Sequence, residues 1–292
     1  MTNIRLTTPV EIGKSLQPIG FQSKILMIGS CFADNIGQMM QKANFGITVN
    51  PFGTTYNPAS LCEAIRRLES NEKFCADECT TIGAGDERIC SFGHHTKRAR
   101  TTVEEFLREA NEALELAHEQ WMQCDTLIAT LGTAWCYKLK KTNKVVNNCL
   151  KHPQCEFERE LLTVDEVCKN LENICQMAEG RQVILTVSPI RHMRDGAHDN
   201  TLSKATLHIG IETVTNQRAE QVCYFPSYEI MMDELRDYRF YADDMSHPSG
   251  LAEQIIFDKF MEFALDPRQK TQLAENLKKA KQMSHRPNIG VL

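Results

Sequence analysis

The sequence predicts an α/β fold, a doubly wound parallel sheet with helices on both faces. Two observations predict it. Short β-rich apolar runs at 24–29, 46–50, 126–131 and 182–187 lack polar alternation and lead into Gly, Ser, Pro or Thr, as strands buried on both faces do. Between them lie helical patterns, and strand followed by helix, repeated, gives a sheet whose ligands sit where the strands end, at the carboxyl edge.

The first run ends at Gly29 and passes into Ser30-Cys31-Phe32-Ala33, so a hydroxyl stands at a strand tip where a helix begins. The second leads into Asn50-Pro51-Phe52-Gly53. Val103, Phe106, Leu107, Ala110, Leu114 and Ala117 make one apolar helical face, and Thr102 with Glu105, like Thr163 with Glu166, has the spacing of a capping box. The third run is followed by Gly132-Thr133-Ala134-Trp135 and the fourth by Ser188-Pro189-Ile190-Arg191-His192. Segments 72–100 and 135–160 are polar and irregular, and are expected as loop insertions over the carboxyl edge. Near the end, Asp244-Met245-Ser246-His247-Pro248 precedes a helix with Leu251, Ile255, Ile256, Phe260 and Phe263 apolar. From about 267 a helical basic tail carries Arg268, Lys270, Lys278, Lys279, Lys281 and Arg286, and is expected as a solvated face. No linker or repeat divides the sequence, so a single domain over 1–292 is expected.

Composition excludes some functions. The 292 residues are 42% hydrophobic and 24% charged, with a formal charge of -5, which gives no global electrostatic reason to bind nucleic acid or an anionic membrane. The first thirty residues lack the pattern of a secretory signal, and no apolar run approaches the roughly twenty residues that span a bilayer. Twelve scattered cysteines are read as reduced thiols, so a cytoplasmic protein is expected. There is no G-x-x-x-x-G-K-[ST] motif, and Gly83-Ala84-Gly85 is not continued by a further glycine, so nucleotide chemistry is not indicated.

Ser30 at a helix start could attack a carbonyl whose developing charge meets the free N–H groups there; the plain alternative is an ordinary helix cap. Asp244 stands three residues before His247, close enough to accept the imidazole N–H and leave the other nitrogen to take a proton from serine. Its plain alternative is a turn brace, with Pro248 starting a helix.

Together these features carry a resemblance. The chain resembles the GSCFA family, a distant relative of the SGNH/GDSL esterases and lipases. The name-giving motif stands intact as Gly29-Ser30-Cys31-Phe32-Ala33, and further matches are Thr8-Pro9-Val10-Glu11-Ile12, Asn50-Pro51-Phe52-Gly53 with Tyr56-Asn57-Pro58, Gly132-Thr133-Ala134-Trp135, Ser188 to His192 and Asp244 to Ser249. The resemblance implies an SGNH-like three-layer domain, a catalytic set of Ser30, Asp244 and His247, and an oxyanion hole built from Ser30 and Gly53. It implies a serine esterase for a small ester, such as an O-acetyl group on a carbohydrate, with no cofactor and no metal. The superfamily's third oxyanion donor is an asparagine in Gly-x-Asn-Asp; this chain departs from that, and Thr133 is the nearest candidate. Arg191, His192 and Asn57 are expected at the substrate.

Other readings stay open. Cys31 adjoins Ser30 and is a rival nucleophile, although adjacent side chains on such a turn rarely reach one histidine. Cys75, Cys79, Cys90 and His94 could supply zinc ligands, but their spacing is not among the usual paired patterns. A non-catalytic binding protein on the same fold, or an acyltransferase using the same triad, is compatible with the same residues. Oligomeric state is not legible.

Overall fold

The computed structural model describes residues 7–284. The chain runs β1 (Lys24–Gly29), α1 (Cys31–Lys42), β2 (Gly46–Val49), α2 (Pro58–Ser70), the hairpin of β3 (Cys79–Thr81) and β4 (Ile89–Ser91), and α3 (Val103–Gln123). It continues through β5 (Thr126–Leu131), β6 (Trp135–Leu139), β7 (Lys144–Val146), β8 (Phe157–Leu161), α4 (Val164–Met177), β9 (Gln182–Val187), α5 (Ala197–Gln217) and β10 (Val222–Tyr224). The short α6 (Ser227–Glu229) extends into a π-turn, Ile230–Glu234, and α7 (Gly250–Ala264) and α8 (Lys270–Ser284) close the chain.

Five strands form the parallel sheet in the order β10-β9-β5-β1-β2. Chain order reverses between β1 and its neighbours, so the tip of β1 is the switch point where such sheets open a crevice. Alternation decides the layers. Leu26, Ile28, Leu127, Ala129, Val183 and Leu185 face a core shared with α2, α3, α4 and α5, while Ile25, Met27, Ile128 and Ile184 face a second core shared with α1 and α7. The predicted three-layer α/β architecture is thus present. Three predicted strands have their predicted bounds; the second ends one residue early because Asn50 turns the chain at φ 41.

The tip of β1 admits only glycine. Gly29 has φ 148, and a Cβ there would lie 2.2 Å from the Thr130 carbonyl oxygen of β5. Ser30 follows at once, so close packing of β1 on β5 fixes where its side chain emerges. Asn50 braces the same place: its Oδ1 accepts the Gly29 N–H at 2.8 Å, and its Nδ2 donates to Asp34 of α1 at 2.5 Å.

The two polar insertions are more regular than expected. The first holds the β3–β4 hairpin and the second a three-stranded antiparallel sheet, β7-β6-β8. They meet each other, Gly83 N–H donating to Leu150 and Asn147 N–H to Phe92. Asn147 Nδ2 also donates to the Thr54 carbonyl at 3.0 Å, which ties both to the loop after β2. The basic stretch after Pro267 is α8, and Asn276 Nδ2 donates to the Ala43 carbonyl at the end of α1; Arg286 lies outside the described residues. No helix among the described residues is long and apolar enough to cross a membrane.

Candidate active site

Ser30 caps α1. Its Oγ accepts the Phe32 N–H at 3.3 Å, and its own N–H reaches the Thr130 carbonyl at 3.3 Å. The residue is 1% exposed. The positive end of α1 therefore surrounds a hydroxyl held at the sheet's switch point.

Asp244 and His247 are paired on one tight loop. His247 Nδ1–H donates to Asp244 Oδ2 at 2.5 Å, while Asp244 Oδ1 accepts the backbone N–H groups of Ser246 and His247, each at 2.9 Å. Those backbone donors, with the His247 ring, hold the carboxyl down at about 2. Nδ1 being taken, Nε2 is the nitrogen left for a proton. The loop abuts the tip of β9, because Arg191 N–H donates to the Ser246 carbonyl at 3.0 Å. No hydrogen bond among the described residues joins His247 to Ser30; such bonds commonly tighten only when substrate is bound.

Gly53, the expected oxyanion donor, has φ +92, and a Cβ there would meet His95 Cβ at 2.5 Å. Its N–H donates to the Asn50 carbonyl at 2.9 Å, closing the turn after β2. Thr133 is 9% exposed, and its hydroxyl is bonded to Ser203 Oγ at 2.9 Å while accepting the Trp135 N–H at 3.1 Å. Both groups thus have structural partners. Thr133→Val is therefore expected to leave kcat within about twofold and to lower stability by about 1–2 kcal/mol, since buried partners lose a hydrogen bond. Denaturant titration and steady-state kinetics check this; a tenfold fall in kcat at constant KM would make Thr133 a donor instead.

Of the expected substrate contacts, Asn57 is the cap of α2, its Oδ1 accepting the Ser60 N–H at 2.8 Å. Arg191 lies over the Tyr241 ring at 5.4 Å. His192 is at the edge itself, with its N–H donating to Asn200 Oδ1 and its Nε2 buried without a hydrogen-bond partner beside Gly132. Burial, then the charges of Lys204 and His247, push its pKa down to about 4.

Sequence reasoning missed Tyr56. Its hydroxyl sits 3.4 Å from Cys31 Sγ and accepts Thr54 Oγ1–H at 3.1 Å, while its carbonyl accepts the N–H groups of Gly132 and Thr133. Burial raises its pKa. Glu253 was missed as well: it accepts from Asn35 of α1, and burial raises its pKa against the opposing effects of Asn35 and His247. The contacts of Tyr56 with Cys31 and Gly132, and of Glu253 with Asn35, cross the fold and leave no local spacing to read.

Cys75, Cys79, Cys90 and His94 are not brought together, and no cluster of three or more His, Cys, Asp or Glu among the described residues could hold a metal. His94 is 2% exposed and packed among the Phe52, Phe74 and Phe106 rings. Burial pushes its pKa down to about 3. Both His94 and His192 fold neutral. Because their folded pKa values lie below the unfolded value of 6.5, the stability they permit is whole above pH 6.5 and lost as pH falls toward 4 and 3. Unfolding free energies from urea titration, and with them the midpoints, should drop below pH 6.5, the free energy with a slope of up to about 1.4 kcal/mol per pH unit for each histidine. A flat midpoint from pH 6.5 to 4.5 would contradict this.

A model of the GSCFA family matches residues 24–260, from the first residue of β1 to within α7. The chain belongs to the GSCFA family. No curated protein matches this GSCFA chain. Among solved structures it is similar to an acetyl xylan esterase, Est2A, from the rumen bacterium Butyrivibrio proteoclasticus. The identity is 10% and the TM-score 0.40, over 88% of this chain and 66% of that one.

Proposed function

We propose that this GSCFA protein is a serine hydrolase of the SGNH kind that acts on a small ester, such as an O-acetyl group on a carbohydrate or similar polar molecule. The observation that carries this reading is the Asp244–His247 pair standing at the sheet edge where Ser30 caps α1. In the proposed course Ser30 Oγ attacks the ester carbonyl while His247 Nε2 takes its proton. The carbon–oxygen bond then breaks, and the leaving alcohol takes that proton from His247. Water, deprotonated by the same nitrogen, hydrolyses the acyl-enzyme to release the acid and free Ser30. Delivery of the acyl group to another alcohol would use the same first half. All twelve cysteines are free, which fits a reducing cytoplasm.

A second reading, a non-catalytic binding protein on the same fold, is favoured by the near-complete burial of Ser30 and by the engagement of the Gly53 N–H and the Thr133 hydroxyl. A fluorophosphonate probe separates the two. A serine activated by a neighbouring base attacks it and a capping serine does not, so intact mass should show one adduct on wild type and none on Ser30→Ala. An adduct on Cys31 would transfer the role to the thiol, and no adduct at all would favour the binding protein.

A further inference from the structure

The buried stripe of α5 runs Asn200, Ser203, Lys204, Leu207, Gly210, Ile211 and Val214. One of these does not belong there by composition. Lys204 is 2% exposed, and a lysine that only packed would be replaced by methionine without the strong desolvation of a buried ammonium. No carboxylate among the described residues is paired with it. Its Nζ instead donates to two backbone carbonyls, Gly132 at 2.6 Å and Ser188 at 2.8 Å, and lies 5.6 Å from the Tyr228 ring centroid. Burial pushes its pKa down to about 7.

The two carbonyls have a common location. Gly132 is the first residue after β5 and Ser188 the first after β9, and these are adjacent strands in the sheet. From Gly132 the chain enters the turn whose N–H groups go to Tyr56, the residue touching Cys31. From Ser188 it enters the segment whose Arg191 N–H holds the loop of His247. One ammonium therefore joins the strand tip that leads toward the serine to the strand tip that leads toward the histidine.

We propose that Lys204 is a positioning residue of the candidate active site, its ammonium clamping the tips of β5 and β9 so that the segments on either side of Ser30 and His247 keep their spacing. It touches neither the serine nor the histidine and acts through the two carbonyls. The clamp stands on the geometry alone; its effect on turnover rests on the hydrolase reading.

Lys204→Met and Lys204→Gln in the full chain test it by amide hydrogen exchange, and by ester turnover per probe-labelled site. Methionine removes both bonds; glutamine keeps a donor without the charge. In Lys204→Met, exchange should quicken about tenfold or more at 132–135, 188 and 190–192 while the β1 amides stay protected. Over the same change kcat per labelled site should fall about tenfold or more with KM nearly constant, and Lys204→Gln should recover part of both. If methionine prevents folding, the glutamine variant carries the comparison, with a smaller change of the same pattern. Exchange that is unchanged, or raised evenly across the sheet, would overturn the clamp, and unaltered kcat per labelled site would overturn its role in the active site. If wild type shows no Ser30-dependent turnover, it is the hydrolase reading that fails, and the local exchange still decides the clamp.

Discussion

Ser30→Ala should lower kcat toward a small ester by about 10³-fold or more, because the attacking atom is gone while the rest of the site remains to bind and polarise the substrate. The variant should still fold. Its expected structural cost is that of a lost helix cap, about 1 kcal/mol, and α1 keeps the buried Phe32, Ala33, Ile36 and Met40 that hold it to the sheet. Turnover of wild type and variant on an ester panel, with melting curves to show equal folding, is the measurement. Equal rates on every ester that wild type hydrolyses would remove Ser30 from the mechanism.

His247→Ala should have an effect of the same order, since no other group is expected to take the serine proton. Asp244→Asn is more informative. The asparagine oxygen can still accept the Ser246 and His247 N–H groups that shape the loop, so the turn survives. Its amide, however, donates to Nδ1 and forces the imidazole proton onto Nε2, where a base is needed. A loss of about 10²–10⁴-fold in kcat with little change in melting temperature is expected. The pH behaviour follows from the lowered carboxyl. With its pKa held near 2 instead of 3.8, the stabilisation of the ionised form is whole above pH 3.8 and lost only as pH falls through 2. An acid limb of the rate near neutrality would then belong to another group. Wild-type turnover in Asp244→Asn would show that Asp244 only braces the loop.

The parts of this fold that were legible in the sequence are those with local causes. Strands buried on both faces write themselves as unbroken apolar runs, as in Lys24–Gly29 and Gln182–Val187. The Asp244–His247 pair was legible because both partners lie within one turn. The three residues of β10 are too few to stand out, and Trp135–Leu139 hides a strand because Cys136 is its one buried residue and the others are half-buried, with Lys138 ion-paired to Glu160 of β8. Lys204 was illegible for a different reason. A lysine reads as surface, and its acceptors lie 72 and 16 residues away along the chain, where only the assembled strands bring them.

The loop of Asp244 has a mechanical consequence. One carboxylate satisfies two amides of its own turn and the ring nitrogen of His247, so carboxylate and imidazole are welded into a single piece that needs nothing from the sheet to keep its internal shape. Displacing that piece leaves the tautomer correct and alters only its distance from the serine. Substitutions on either side of the loop, outside 242–249, should therefore act like the travel of a slider, grading turnover through one distance, rather than scrambling the chemistry of the pair.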